Sequence, residues 1–241
     1  MRILAMDTSN QSMSVAIIEN NQILVEKTTN VKRNHSIQLM PTIEHVIEDA
    51  NLSIDSLDRI VVAKGPGSYT GVRIAVIVAK TLAWTKEIEL VGISSLKVIA
   101  GNAQQIEGSL IVPVMDARRG NIYTGLYTYK NQELIELERD RHVSAKEWAQ
   151  ELASKHKIVQ MIGTDLEKHL SIFKPYLKEN LLLLPSYQQL PRASVLAMLG
   201  AQEEPTDIHT FVPEYAKLTE AEENWKEANP NDLGGRLIEK Y

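Results

Sequence analysis

The chain has 241 residues, no cysteine, and 26 Lys and Arg against 31 Asp and Glu, for a net charge of −5. With 44% apolar and 24% charged residues it has an ordinary globular composition and length for one large or two small domains. The lack of cysteine excludes disulfides, thiolate catalysis and Cys-ligated metal centres, and the acidic balance argues against a leading role in nucleic-acid binding.

No apolar run approaches the ~20 residues a membrane span needs. Asp7 arrives too early for a secretory signal, so the expected compartment is the cytoplasm. A short apolar run at 3–6 predicts a strand, closed by the turn cluster Asp7-Thr8-Ser9-Asn10. Strands at 13–18 and 22–27, with Asn20-Asn21 between them, complete an antiparallel meander. The period then changes. Leu39, Ile43, Val46, Ile47 and Ala50 predict a helix over 35–50. A strand at 59–63, a helix at 70–84, a strand at 90–93 and a short helix capped by Ser94 or Ser95 follow. Three antiparallel strands leading into alternating α and β elements predict an α/β layer architecture.

The pattern then restarts. A strand at 111–115 ends in Asp116, turns through Ala117-Arg118-Arg119-Gly120 and leaves as a strand at 122–129. Asp7 and Asp116, 109 residues apart, each follow a Met at a strand end and precede a polar turn and an outgoing strand. That shared context points to a duplicated lobe. A helix at 144–154, a strand at 157–163, an apolar run at 181–184 and a helix at 191–200 follow, and a polar, acidic tail begins at Thr219.

The densest feature is Lys64-Gly65-Pro66-Gly67-Ser68-Tyr69-Thr70-Gly71-Val72-Arg73, between a predicted strand and helix. Its glycines miss the dinucleotide spacing by one, and no Walker lysine follows. Two readings stand: backbone N–H groups that receive an anion, or glycines that permit a turn and close packing. In the helix behind it only Arg73 and Lys80 are charged, seven residues apart on one stripe. Val72, Ala75, Val76, Ala79, Leu82 and Ala83 cover much of the rest, so the helix is buried on two sides. Either a partner protein covers the second side or the helix is wholly internal. Asp7 and Asp116 are the best-placed carboxylates for metal–phosphate or general-base work, and equally suit caps of their own turns. The six histidines include no pair at zinc-binding spacing, and no G-x-S-x-G elbow occurs. The basic pairs Lys32-Arg33 and Arg118-Arg119 stand without interleaved aromatic residues.

The run from Gly65 to Ile74, followed by Ala79-Lys80-Thr81-Leu82-Ala83, resembles the TsaB family, also called YeaZ. Met6-Asp7-Thr8-Ser9, His35-Ser36 heading a helix through Met40-Pro41, Met115-Asp116-Ala117-Arg118-Arg119-Gly120, and Pro213-Glu214-Tyr215 with Glu220-Ala221-Glu222 match in the same order. The resemblance implies an α/β, actin-like ATPase (ribonuclease-H-type) fold of two duplicated lobes, with mixed sheets flanked by helices. Here these would be 1–103 and 110–218, with 219–241 as a polar tail. It also implies a non-catalytic subunit that supports formation of N6-threonylcarbamoyladenosine next to the tRNA anticodon. That subunit pairs with the catalytic paralogue TsaD and works with the ATPase TsaE. No cofactor is then expected on this chain; ATP with magnesium and the catalytic metal are expected on partner subunits or at the complex interface. Transfer RNA is expected only as part of the complex, and self-association through the same helices when the partner is absent.

The family interface uses the first two helices of the N-terminal lobe, which gives His35, Leu39, Ile43, Tyr69, Val72, Arg73, Val76 and Lys80 as expected partner contacts. Asp7, Thr8, Ser9, Gly65, Gly67, Asp116 and Arg118 would mark a vestigial nucleotide or phosphate cleft. The competing reading is a stand-alone actin-fold ATPase or kinase that uses Asp7 and Asp116; a peptidase finds no support in these residues.

Overall fold

The computed structural model describes residues 1–31 and 34–215. The basic pair Lys32-Arg33, the motif Glu220-Ala221-Glu222 and the tail 219–241 lie outside the described residues.

The opening meander is β1 (Arg2–Asp7), β2 (Met13–Glu19) and β3 (Gln22–Thr29), antiparallel throughout. Next come α1 (His35–Asp49), β4 (Arg59–Ala63), α2 (Tyr69–Lys86) and β5 (Glu89–Ile93), with β4 parallel to β1 and β5 parallel to β4. The sheet order is β3-β2-β1-β4-β5. After the short α3 (Ser95–Ala100) the plan repeats: β6 (Leu110–Asp116), β7 (Asn121–Lys130), β8 (Glu133–Ser144), α4 (Ala145–Ser154), β9 (Val159–Ile162), α5 (Leu166–Leu177) and β10 (Leu181–Leu183). This second sheet runs β10-β9-β6-β7-β8, the same order as the first read from its other edge. Duplicated lobes predicted from two Met-Asp strand ends are thus present as two equivalent sheets.

Period-two alternation on the strands sorts side chains to two faces. On β1, Leu4 and Met6 face α1 and α2, where Leu39, Ile43, Val72 and Val76 complete one core cluster. Ile3 and Ala5 face the other way, against α6 (Ala193–Gly200) and Val98 of α3. The second sheet places Val112, Val114 and Leu126 against Trp148 of α4 and Phe173 of α5. Its opposite face packs Ile111, Met115 and Tyr127 on Leu96 and Ile99 of α3. Helix α3 therefore serves both cores. Between the sheets the Asp140 carboxylate accepts hydrogen bonds from Tyr127 Oη at 2.6 Å and from the Ser94 hydroxyl, which itself caps α3. Burial is the largest effect on both groups and pushes the Asp140 carboxyl and the Tyr127 phenol upward.

Three features depart from the sequence pattern. Strand β8 carries charges at Glu133, Glu136, Glu138, Arg139, Asp140 and Arg141, which hide its alternation; it is an edge strand, where charge is the usual defence against stray pairing. Helix α5 is signalled by Leu166, Leu170, Phe173 and Leu177 at helical spacing, but Pro175 in its last turn obscures the pattern. Helix α6 and the segment to Tyr215, expected in the C-terminal lobe, pack on the N-terminal sheet instead: α6 touches β1, β2, β4 and β5, and the Thr206 N–H donates to Leu90 O at 2.8 Å. Among the described residues no helix is long and apolar enough to cross a membrane.

Candidate functional site: a closed cleft and an exposed helix face

Asp7 closes β1 and is 1% exposed. Its Oδ1 accepts from the Ser9 N–H at 2.7 Å, while Oδ2 and the nearby Ser12 hydroxyl are buried without a hydrogen-bond partner among the described residues. Burial raises the Asp7 carboxyl above the usual carboxylate range, against the opposing pull of Ser9 and His35. Thr8 donates its hydroxyl to Gly71 O at 2.6 Å, and the Ser68 N–H donates to Ser9 O at 2.7 Å. The glycine loop and the Asp7 turn are therefore bonded to each other.

The glycines explain how they come so close. A Cβ on Gly71 would fall on the Thr8 carbonyl, one on Gly67 on the Ser9 carbonyl, and one on Gly65 on the Glu214 carbonyl. Several of the loop's donors are also in use. Gly65 N–H reaches Ser95 Oγ at 3.2 Å, Gly71 N–H reaches Ser68 Oγ at 3.3 Å, and Val72 N–H reaches Ser68 O at 2.8 Å. Of the two readings of this loop, close packing is the one its geometry supports. Asp7, Thr8, Ser9, Gly65 and Gly67 do come together as the motif suggested. As arranged, the Asp7 carboxylate is enclosed, and the N–H groups of Gly65, Ser68, Gly71 and Val72 already have acceptors within the chain.

Asp116 sits at the equivalent strand end, but in a wetter, charged setting. Its Oδ1 lies 3.0 Å from His169 Nε2 and accepts from the Arg118 N–H at 3.1 Å, while Lys168 Nζ is 3.5 Å from Oδ2. Burial acts upward on its pKa, yet Arg118, His169 and Lys168 together hold the carboxyl below the usual range. A depressed folded-state pKa contributes stability that is fully present above the unfolded value near ~3.9 and is lost as pH falls through the folded value. Asp116→Asn is accordingly expected to flatten the fall of Tm below about pH 4 while changing little of the pH dependence near neutrality. Melting curves at pH 3 and pH 7 for both proteins check this. Arg118 adopts a left-handed backbone (φ 66°) and is exposed, and among the described residues no three or more His, Asp or Glu side chains form a metal-binding group.

The helix face is different. Leu39, Ile43, Val72 and Val76 are buried, so these four expected contacts face the chain's own core. His35 is engaged within the chain, Nε2 donating to Asn10 O at 2.9 Å and tying the start of α1 to the β1–β2 turn. Lys80 is likewise engaged, its Nζ donating to Phe211 O at 2.6 Å. Of the eight expected contacts Tyr69 and Arg73 remain exposed. The apolar residues that do face outward are Ile37 and Met40 on α1 and Ile77 and Trp84 on α2, with Ile37, Ile77 and Trp84 64%, 62% and 66% exposed. Helices α1 and α2 lie against each other, so these side chains belong to adjoining helices. The sequence signal for them was their spacing: Arg73, Ile77 and Trp84 recur at four and seven residues, one stripe of a helix.

At the start of α2 the Tyr69 and Tyr215 rings stack with centroids 4.9 Å apart. The Arg73 guanidinium lies 4.2 Å from the Tyr69 centroid and donates through Nε to Tyr215 Oη at 2.7 Å.

Residues 22–225 match the family model described as TsaD: tRNA N6-adenosine threonylcarbamoyltransferase. The chain is 42% identical, over 95% of its length and 99% of the relative's, to the tRNA threonylcarbamoyladenosine biosynthesis protein TsaB of Bacillus subtilis. More distant relatives of the same name match over 51–61% of their own length. YeaZ from Pseudomonas aeruginosa superposes with a TM-score of 0.74 at 23% identity, covering 89% of this chain and 99% of that one. A ROK hexokinase from Thermus thermophilus gives 0.50 at 12% identity, covering 84% and 100%, which places the fold among the actin-like ATPases.

Proposed function

The chain belongs to the TsaB family of tRNA threonylcarbamoyladenosine biosynthesis proteins, and we propose that it serves that modification as a non-catalytic subunit, by heterodimerising with the TsaD paralogue through α1 and α2. One observation carries the reading: Ile37, Met40, Ile77 and Trp84 stand exposed on two adjoining helices whose opposite sides already fill the core. Aromatic and aliphatic side chains exposed together in this way mark a surface that is covered in the working assembly.

The closed Asp7 turn supports the same division of labour. A buried carboxyl bonded to its own turn is poorly placed to act on a substrate, so the chemistry falls to the partner. This also weakens the stand-alone ATPase or kinase reading, which needs Asp7 accessible. Recruitment of the ATPase TsaE, work in the cytoplasm on tRNA held by the complex, and self-association through the same helices in the partner's absence complete the proposal. Co-expression with TsaD followed by size-exclusion chromatography tests it: a single heterodimer peak at micromolar concentration is expected. Separate elution of the two chains would remove the proposal. Glutamate at Val76 would bury a charge in the core, so Ile77 is the position at which to probe the face.

A further inference from the structure

The segment after α6 has no regular secondary structure, yet it is fixed along α2 and the loop before it. Phe211 is buried in the N-terminal core against Gly92, and its carbonyl takes the Lys80 ammonium. The Glu214 N–H donates to Lys64 O at 2.7 Å, and the Glu214 carboxylate pairs with Lys64 Nζ at 2.7 Å. The Glu214 carbonyl fills the space that a side chain at Gly65 would need. Tyr215 then ends the described chain, stacked on Tyr69 and bonded to Arg73. The charged stripe of α2, Arg73 and Lys80, is thus the dock for this strap.

We infer that the strap 207–215 is a third element of the protein-binding surface, beside α1 and α2, with Tyr215 as its anchor; this rests on the heterodimer proposed above. Tyr and Arg are the residue types that dominate binding energy at protein interfaces. Here Tyr69 and Tyr215 are 46% and 41% exposed, so each still has surface for a partner to cover. Arg73 holds both rings before any partner arrives, so the ordering cost of the anchor is met in the free chain. The next exposed apolar side chains along the same helix are Ile77 and Trp84, which makes the cluster one end of the apolar face. A protein fits this surface better than RNA. Lys64 is neutralised by Glu214, and the continuation is apolar instead of a row of cations.

The test uses the full-length chain titrated into purified TsaD by calorimetry, with Tyr215→Ala, Tyr215→Phe and Ile77→Glu variants. Tyr215→Ala should weaken binding tenfold or more, and Tyr215→Phe, which keeps the ring and loses only the Arg73 bond, by less than about threefold. Thermal melts of each variant within a few degrees of the parent show that the fold is kept. If Ile77→Glu weakens binding but Tyr215→Ala stays within twofold, the strap is not part of the interface and the heterodimer stands. If Ile77→Glu itself has no effect, the heterodimer reading fails and the strap inference with it. A Tyr215→Ala variant that loses gel-shift binding to unmodified tRNA while TsaD affinity is unchanged would assign the cluster to RNA and overturn the inference.

Discussion

Replacing Ile77 with glutamate is expected to weaken the complex with TsaD by about 100-fold, about 3 kcal/mol, while leaving the isolated chain folded. The size of the effect follows from where the side chain sits. Ile77 is 62% exposed on the free chain, so a carboxylate there is hydrated and costs the fold little. In the proposed complex the partner would close off the same position, and a charge without a counter-ion in a desolvated interface costs several kcal/mol. Trp84→Ala, on the same face, removes contact area without adding charge and should cost about 2 kcal/mol. Neighbouring Val76 supplies the contrast. It is 2% exposed in the core, so Val76→Glu should lower stability in the free chain and blur any reading of affinity. Calorimetric titration with paired thermal melts separates the two kinds of effect.

Gly71→Ala is expected to destabilise the chain by about 3 kcal/mol, lowering Tm by about 6–12 °C. The added methyl would meet the Thr8 backbone carbonyl and the Ser68 side chain. To relieve the clash, the start of α2 must lift from the β1–β2 turn, breaking the bond from Thr8 Oγ1 to Gly71 O. Backbone on both sides leaves little room to give. Gly120 is the control: nothing lies within 4 Å of a Cβ there, and only its positive φ of 77° opposes alanine. Gly120→Ala should therefore cost about 1 kcal/mol. An unchanged Tm for Gly71→Ala would show that the start of α2 and the Asp7 turn are not held together by this close approach. Differential scanning calorimetry of both variants decides between these outcomes.

These two positions also mark where sequence reading carries and where it stops. The lobe repeat is legible because strand, Met-Asp and turn recur at Asp7 and Asp116, and strand pairing needs little more than alternation and turn residues to be recognised. The packing role of the glycine loop is not, since spacing alone cannot tell a glycine that admits phosphate from one that admits a neighbouring carbonyl. Helical periodicity correctly shows α2 to be apolar on more than one side. Choosing the outward side needs the position of the sheet, and for that reason Val72 and Val76 were expected where Ile77 and Trp84 stand. Arg73 and Lys80 look like surface charges facing solvent or a partner. Their acceptors, Tyr215 and Phe211, lie more than 130 residues later, at separations of 142 and 131, beyond the reach of local pattern. Edge strand β8 escapes notice for a physical reason too: the charges that protect an edge also erase its alternation.

In the function proposed here, this chain acts by presenting a helix face, not through its buried aspartate. Hydrogen–deuterium exchange of the full-length chain, alone and with saturating TsaD, tests it most directly. Slowed exchange is expected in α1, in α2 and in the strap at 211–215, with the Asp7 and Asp116 turns unchanged. Slowed exchange at those two turns, with α1 and α2 unaffected, would contradict it.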